Sequence, residues 1–163
     1  MKKLAVFAIA VVMCLGMMAQ ADAQPTFRVG GGFIFDGSQP GGGVAIDLPM
    51  SDKPYGITIA AEYYKKSGVS TVPVRGLAMY QAPAGETANF YFGVGGGLIY
   101  SKVSIAGVSA STTKGLASGV AGLKFSVSES MGFYGEVGYD RAVTSGAKNL
   151  LSARAGISFG GSE

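Results

Sequence analysis

The stretch GLASGVAGLKFSVSESMGFYGEVGYD, Gly115–Asp140, decides how the chain is read. Taken two residues at a time, Ala121 and Phe125 fall on one side and Lys124 on the other. Beyond SVSES, Phe133, Val137 and Tyr139 alternate with Glu136 and Asp140 in the same way. A period of two rather than 3.6 marks strands, not helices. The serine-rich link between the two runs carries turn residues. Lys114–Val127 and Met131–Asp140 are therefore read as a pair of antiparallel strands.

The same alternation outward from this pair gives six more strands: Thr26–Phe35, Gly42–Leu48, Tyr55–Tyr64, Thr71–Gln81, Ala88–Ser101 and Leu150–Phe159. The links PMSDKP and APAGET are short, DGSQPG and KKSGVS carry glycine and serine, and the stretch from Lys102 to Thr113 reads as a longer connection. Past residue 23 no segment offers an amphipathic helix. Glycine supplies 26 of the last 140 residues, too many for helices in which each costs about 1 kcal/mol relative to alanine. The expected fold is an all-β, eight-stranded antiparallel up-and-down meander.

Residues 1–23 read as a leader outside that fold. Lys2 and Lys3 precede the apolar run Leu4–Met18, and Ala21-Asp22-Ala23 has the pattern of a cleavage site. The run is shorter than the ~20 apolar residues of a membrane-spanning helix. Cleavage leaves 24–163 as one domain and removes Cys14, the only cysteine. Disulfides are then unavailable to an exported chain, so stability has to come from packing and backbone pairing.

Composition narrows the chemistry. Of 163 residues 48% are hydrophobic and 14% charged, which excludes a disordered chain. There is no histidine, so histidine general-base catalysis and histidine-ligated metal sites are impossible. The formal charge of +3 is not gathered into a run, and no nucleic-acid footprint results. The glycine clusters Gly30–Gly32 and Gly93–Gly97 lack the following Lys-Ser/Thr pair of a phosphate loop. Glu62, Glu136 and Asp140 would be candidates for paired-carboxylate catalysis, but opposite arginines in a sealed interior they read as structural. No catalytic residue, cofactor or metal is expected; Asp36 has too few carboxylate neighbours for calcium.

Which face meets which solvent decides function. Leu151, Ala153, Ala155, Ile157 and Phe159 share one face of the last strand, against Ser152, Arg154, Gly156 and Ser158. A soluble barrel turns its apolar face inward, whereas a membrane barrel turns it to lipid. Two counts favour the membrane barrel. The strand charges Arg28, Asp47, Glu62, Arg75, Lys124, Glu136, Asp140 and Arg154 all fall on the polar face, four of each sign. So few, among small residues, suit a narrow lumen in which each is paired. In addition, 13 of the 16 aromatics beyond the leader fall on the apolar face. Phe27, Tyr55, Tyr80, Phe90, Phe92, Phe125, Phe133 and Phe159 gather at one end of the strands, and Phe33, Phe35, Tyr63, Tyr100 and Tyr139 at the other. Two aromatic girdles around an aliphatic band are the pattern of a transmembrane β-barrel. The competing reading is a soluble exported, periplasmic β-barrel that binds a hydrophobic ligand.

With FYFGVGGGLIY (Phe90–Tyr100), the opening stretch and LLSARAGISF in hand, the chain resembles the small outer-membrane β-barrel family of Gram-negative bacteria, the OmpA-, OmpX- and opacity-like proteins. The resemblance runs from about Phe27 to Phe159. It implies a monomeric barrel in the cell outer membrane, with a structural or surface-interaction role, a plugged and non-conducting lumen, and no enzymatic activity. It also implies passage through the barrel-assembly machinery, which reads a terminal aromatic; here Phe159 is followed by Gly160-Gly161-Ser162-Glu163. If both termini are periplasmic, the outer side holds Lys65, Lys66, Lys102, Lys114, Arg141 and Lys148 against Asp36, net +5. The periplasmic side holds Asp52, Lys53, Glu86, Glu129 and Glu163, net −3. Lys65, Lys66, Lys102 and Lys114 are then candidates to contact lipopolysaccharide phosphates; the other reading of the same lysines is solvated loop charge.

Overall fold

The computed structural model describes residues 24–50, 53–105, 108–144 and 149–160. The leader at 1–23, Asp52, Lys148 and the tail at 161–163 lie outside the described residues. Alternating sequence becomes strand at β1 (Thr26–Ile34), β2 (Gln39–Pro49), β3 (Tyr55–Lys66), β4 (Val69–Pro83), β5 (Ala88–Ile105), β6 (Val108–Ser128), β7 (Met131–Ala142) and β8 (Asn149–Phe159). Each pairs antiparallel with the next, and β8 closes on β1 from Phe27↔Phe159 to Ile34↔Ser152. The result is a closed eight-stranded β-barrel with no open edge around its wall.

Period two fixes the faces, since a one-residue slip would turn every side chain over. Arg28, Asp47, Thr58, Glu62, Arg75, Ser118, Glu136, Asp140, Ser152, Arg154 and Ser158 are buried inside. Val94, Val137 and Leu151 lie outside, with Val94 65% exposed. The lumen is itself two-sided. Leu77, Met79, Tyr91 and Val120, from β4, β5 and β6, pack as an apolar cluster, while the charges come mainly from β1, β2, β3, β7 and β8.

Two departures from the sequence reading concern strand ends. Lys102–Thr113 is not a long connection: Lys102–Ile105 belongs to β5 and Val108–Thr113 to β6, paired without a break from Ile99↔Lys114 to Ile105↔Val108. This hairpin outreaches β7, whose last register partner on β6 is Leu116, opposite Ala142. β2 also begins at Gln39 rather than Gly42. The alternation reports burial, not backbone pairing, so it fades where water wets both faces of a strand.

Tight turns follow from local chemistry. Lys66↔Val69 is closed by Ser67 and Gly68, both with positive φ (48° and 78°). Two left-handed central residues are what a two-residue hairpin turn matched to strand twist requires. At the opposite end, the register between β6 and β7 shifts at Ser126/Ser128, a bulge of the sort that sits at barrel rims.

Candidate functional site

The buried charges join into a single chain of ion pairs along the lumen. At the N-terminal end of the barrel, where Thr26 pairs with Asp47, Arg28 holds Asp47 at 3.0 Å through Nη2 and donates from Nε at 3.2 Å. Thr58 donates to the same Asp47 oxygen at 2.7 Å. Arg28 Nη1 reaches Glu136 at 3.0 Å, and Arg154 Nη2 pairs with the other Glu136 oxygen at 2.8 Å. Arg154 also pairs with Glu62, as does Arg75. Arg75 ends the chain on Asp140 at 3.2 Å, where Ser118 donates at 2.6 Å. The order Asp47–Arg28–Glu136–Arg154–Glu62–Arg75–Asp140 therefore alternates in sign from one end of the lumen toward the other.

Alternation is what makes so much charge tolerable in a buried interior. Taking an ion from water into protein costs several kcal/mol, offset only by close, well-oriented partners. Arg75, 1% exposed, has a carboxylate on each side, and so do Arg28 and Arg154. Four acids against three arginines leave one negative charge. Lys124, half-buried, lines the space beside Arg28 and Asp47 and restores neutrality.

Three tyrosines complete this network and were not singled out by sequence. Tyr64 donates to Glu62 at 3.0 Å. The Arg28 guanidinium lies 5.4 and 5.0 Å from the centroids of the Tyr91 and Tyr134 rings and donates to the Tyr91 hydroxyl at 3.1 Å. Their one signal was position: Tyr64, Tyr91 and Tyr134 are the aromatics that fall on the charged face.

Interior glycines make room for these side chains. A Cβ at Gly122 would sit 2.6 Å from Tyr91 Cζ, and one at Gly32 would sit 2.7 Å from Arg154 Cγ. Gly122→Leu is expected to lower stability by about 1–3 kcal/mol through overpacking, read as a lower urea midpoint of the folded barrel.

On the outer face, Phe27, Phe33, Phe35, Tyr55, Tyr63, Phe90, Phe92, Tyr100, Phe125, Phe133, Tyr139 and Phe159 are exposed, and Tyr80 is half-buried. Register brings Tyr55, Tyr80 and Phe92 side by side, with ring centroids 5.5 and 5.2 Å apart. At the other end Phe33 meets Phe35 edge-on at 5.7 Å. Lys65 and Lys66 at the end of β3 and Lys102 on β5 stand beyond this second band, and Lys114 on β6, opposite Ile99, stands level with it; all four are exposed.

No protein-family model matches the chain, and no curated protein matches it. Among solved structures it is similar to Neisserial surface protein A, with a TM-score of 0.62 at 15% identity, over 84% of this chain and 94% of that one. The fold is that of a small outer-membrane β-barrel. Ail, the attachment invasion locus protein of Yersinia pestis, shares it with a TM-score of 0.56 at 15% identity, over 84% and 96%. So does the outer membrane enzyme PagL, with a TM-score of 0.51 at 13% identity, over 84% and 99%. One outer-membrane barrel fold thus serves proteins of different kinds, and what this chain does has to be argued from its own residues.

Proposed function

We propose that this chain is a monomeric integral outer-membrane protein with a closed lumen and a surface-interaction role, without enzymatic activity. The observation that carries the reading is the inversion of polarity: ion pairs inside and an apolar exterior between two aromatic bands. A soluble barrel for a hydrophobic ligand needs the opposite arrangement. The band also has a suitable height. Phe27 to Phe35 and Tyr55 to Tyr63 are each eight residue steps apart, and Phe90 to Tyr100 ten. At about 3.4 Å per residue these are roughly 27–34 Å along the strand. A tilt of about 40° reduces that to roughly 20–26 Å, close to the ~25 Å apolar band of outer-membrane barrels.

Closure supplies the reason for this architecture, because hydrocarbon offers no partner to a free N–H or C=O. Eight strands enclose an interior that side chains can fill, and here Arg28, Arg75 and Arg154 cross it between carboxylates. Glu62 and Glu136 each hold two arginines, which fits a structural role better than proton transfer. For assembly, Phe159 is the last residue of β8, outward and paired with Phe27; we assign it the role of terminal aromatic despite the residues that follow.

With both termini periplasmic, Lys65, Lys66, Lys102 and Lys114 lie on the outer side, where they would attract lipopolysaccharide phosphates by charge-assisted hydrogen bonds. Changing all four to glutamine is expected to cut lipopolysaccharide co-purification severalfold without altering the gel mobility of the folded barrel. Unchanged co-purification would leave them as solvated charge. For residence itself the test is fractionation: resistance to carbonate extraction with heat-modifiable mobility is expected, and a carbonate-soluble protein would contradict it.

A further inference from the structure

The four outer lysines do not share one face of the barrel wall. Side chains alternate along a strand, so position in the sequence assigns each lysine a side. On β3, Lys65 follows Tyr63 on the outward face, while Lys66 follows Glu62 and Tyr64, both buried inside. On β5, Lys102 follows the outward Tyr100. On β6, Lys114 precedes Leu116 and Ser118, which are buried, and so belongs with Lys66 on the side of the lumen mouth.

Register brings the two outward lysines to one place. Lys65 pairs with Ser70 of β4, and Ser70 pairs with Lys102 of β5. Neighbouring strands lie about 4.8 Å apart, which puts the two lysine backbones roughly 10 Å from each other. Two flexible four-carbon stems can close that gap on a single anion. Ser70 stands between them, its Oγ 3.3 Å from the Tyr63 hydroxyl. With the phenol as donor, the serine O–H is left to turn toward the same anion. No carboxylate on these strands competes: Glu62 is the only acid of β3, β4 and β5, and it lies inside with Arg75 and Arg154.

Beneath the lysines the wall turns apolar. Tyr63 and Tyr100 come first, and below them Ala61, Val74 and Leu98 lie in register across the same three strands. An anion held here has donors around it and an apolar surface directly below, the outline of a lipid with a charged head. We propose that Lys65, Ser70 and Lys102 bind a phosphate monoester on a lipid of the outer leaflet, with its acyl chains against the wall. The proposal rests on residence in the outer membrane with both termini periplasmic, and it narrows four candidate lysines to the two that make contact. A phosphate monoester carries about −1.5 to −2 charges at pH 7, which two lysines match. Lys66 and Lys114 add only attraction at a distance, screened beyond roughly 10 Å at 0.1 M salt.

The test uses the mature barrel, affinity-tagged and folded in neutral detergent micelles, with added lipid A, an acylated disaccharide bearing phosphate monoesters. Lipid A retained per barrel after washing is counted, and saturable retention is expected. Lys65→Gln with Lys102→Gln is expected to cut retention at least tenfold, and Ser70→Ala severalfold. Lys66→Gln with Lys114→Gln removes the same charge from the same end of the barrel and is expected to cut it less than threefold. Lipid A stripped of its phosphates by phosphatase is expected to be retained as poorly as intact lipid A is by the Lys65→Gln, Lys102→Gln barrel. That comparison needs no substitution, so it decides even where a variant loses the gel mobility of a folded barrel. Equal losses for the two lysine pairs, full retention of dephosphorylated lipid A, or equal retention of phosphatidylglycerol, a phosphodiester, would each overturn the proposal. So would displacement by equimolar inorganic phosphate, which would make this a site for a free anion. Carbonate extraction reads residence separately, so failure here leaves residence in the outer membrane standing.

Discussion

Alanine at position 62 is expected to lower the unfolding free energy of the barrel by about 3–5 kcal/mol, the range for breaking a buried ion pair from one side. Glu62 is the carboxylate shared by Arg75 and Arg154 and the acceptor for Tyr64. Without it Arg154 keeps only Glu136 and Arg75 only Asp140. Arg154 then stays buried with only a share of Glu136, which Arg28 also holds, and Arg75 with one carboxylate in place of two. Glu62→Gln, of the same size and still an acceptor, is expected to lose less. Glu62→Leu combined with Arg75→Leu is expected to recover part of the loss, because it removes one buried charge of each sign. Equilibrium urea unfolding in lipid vesicles, followed by gel mobility, supplies the comparison. If Glu62→Ala and Ser38→Ala shifted the midpoint equally, the ion-pair chain would have no role in stability; Ser38 lies exposed in the β1–β2 turn.

Arginine in place of Val94 is expected to cost about 2–4 kcal/mol, the measured range for arginine at the midplane of a membrane barrel. Val94 sits between Phe92 and Tyr100 on β5, faces outward, and pairs with Ala78 and Gly119. None of these neighbours could share or screen the charge. On a water-exposed exterior the same change would stay within about 0.5 kcal/mol, as ordinary surface substitutions do. The variant therefore tests the solvent outside the barrel, whereas Glu62→Ala tests the interior.

Strand number and the two faces were legible because burial in this molecule alternates with period two, and Phe125, Lys124, Phe133 and Glu136 each declare a side. Closure of β8 onto β1 is what the cost of a free edge in hydrocarbon requires. The reach of β5 and β6 was not legible. At Lys102–Ser104 and Ser109–Thr113 both faces are exposed to water, so the apolar alternation lapses while the backbone pairing continues. Nor could sequence say which arginine meets which carboxylate. Glu62 and Arg154 are 92 positions apart, and their meeting depends on the stagger of all eight strands. The contacts of Arg28 with Tyr91 and Tyr134 were hidden for the same reason, and so was the need for glycine at 122, which is set by a ring on the adjacent strand.

Because Cys14 falls within the first 23 residues, the remaining 140 contain no native thiol, and single cysteines can be introduced for spin labelling without a background signal. Labels at Val94, Val137 and Leu151, with the barrel in phospholipid bilayers, are expected to collide readily with dissolved oxygen and scarcely with a water-soluble nickel chelate. Nickel collisions at those three positions as frequent as at a label on Ser38 would mean that water, not lipid, surrounds the barrel.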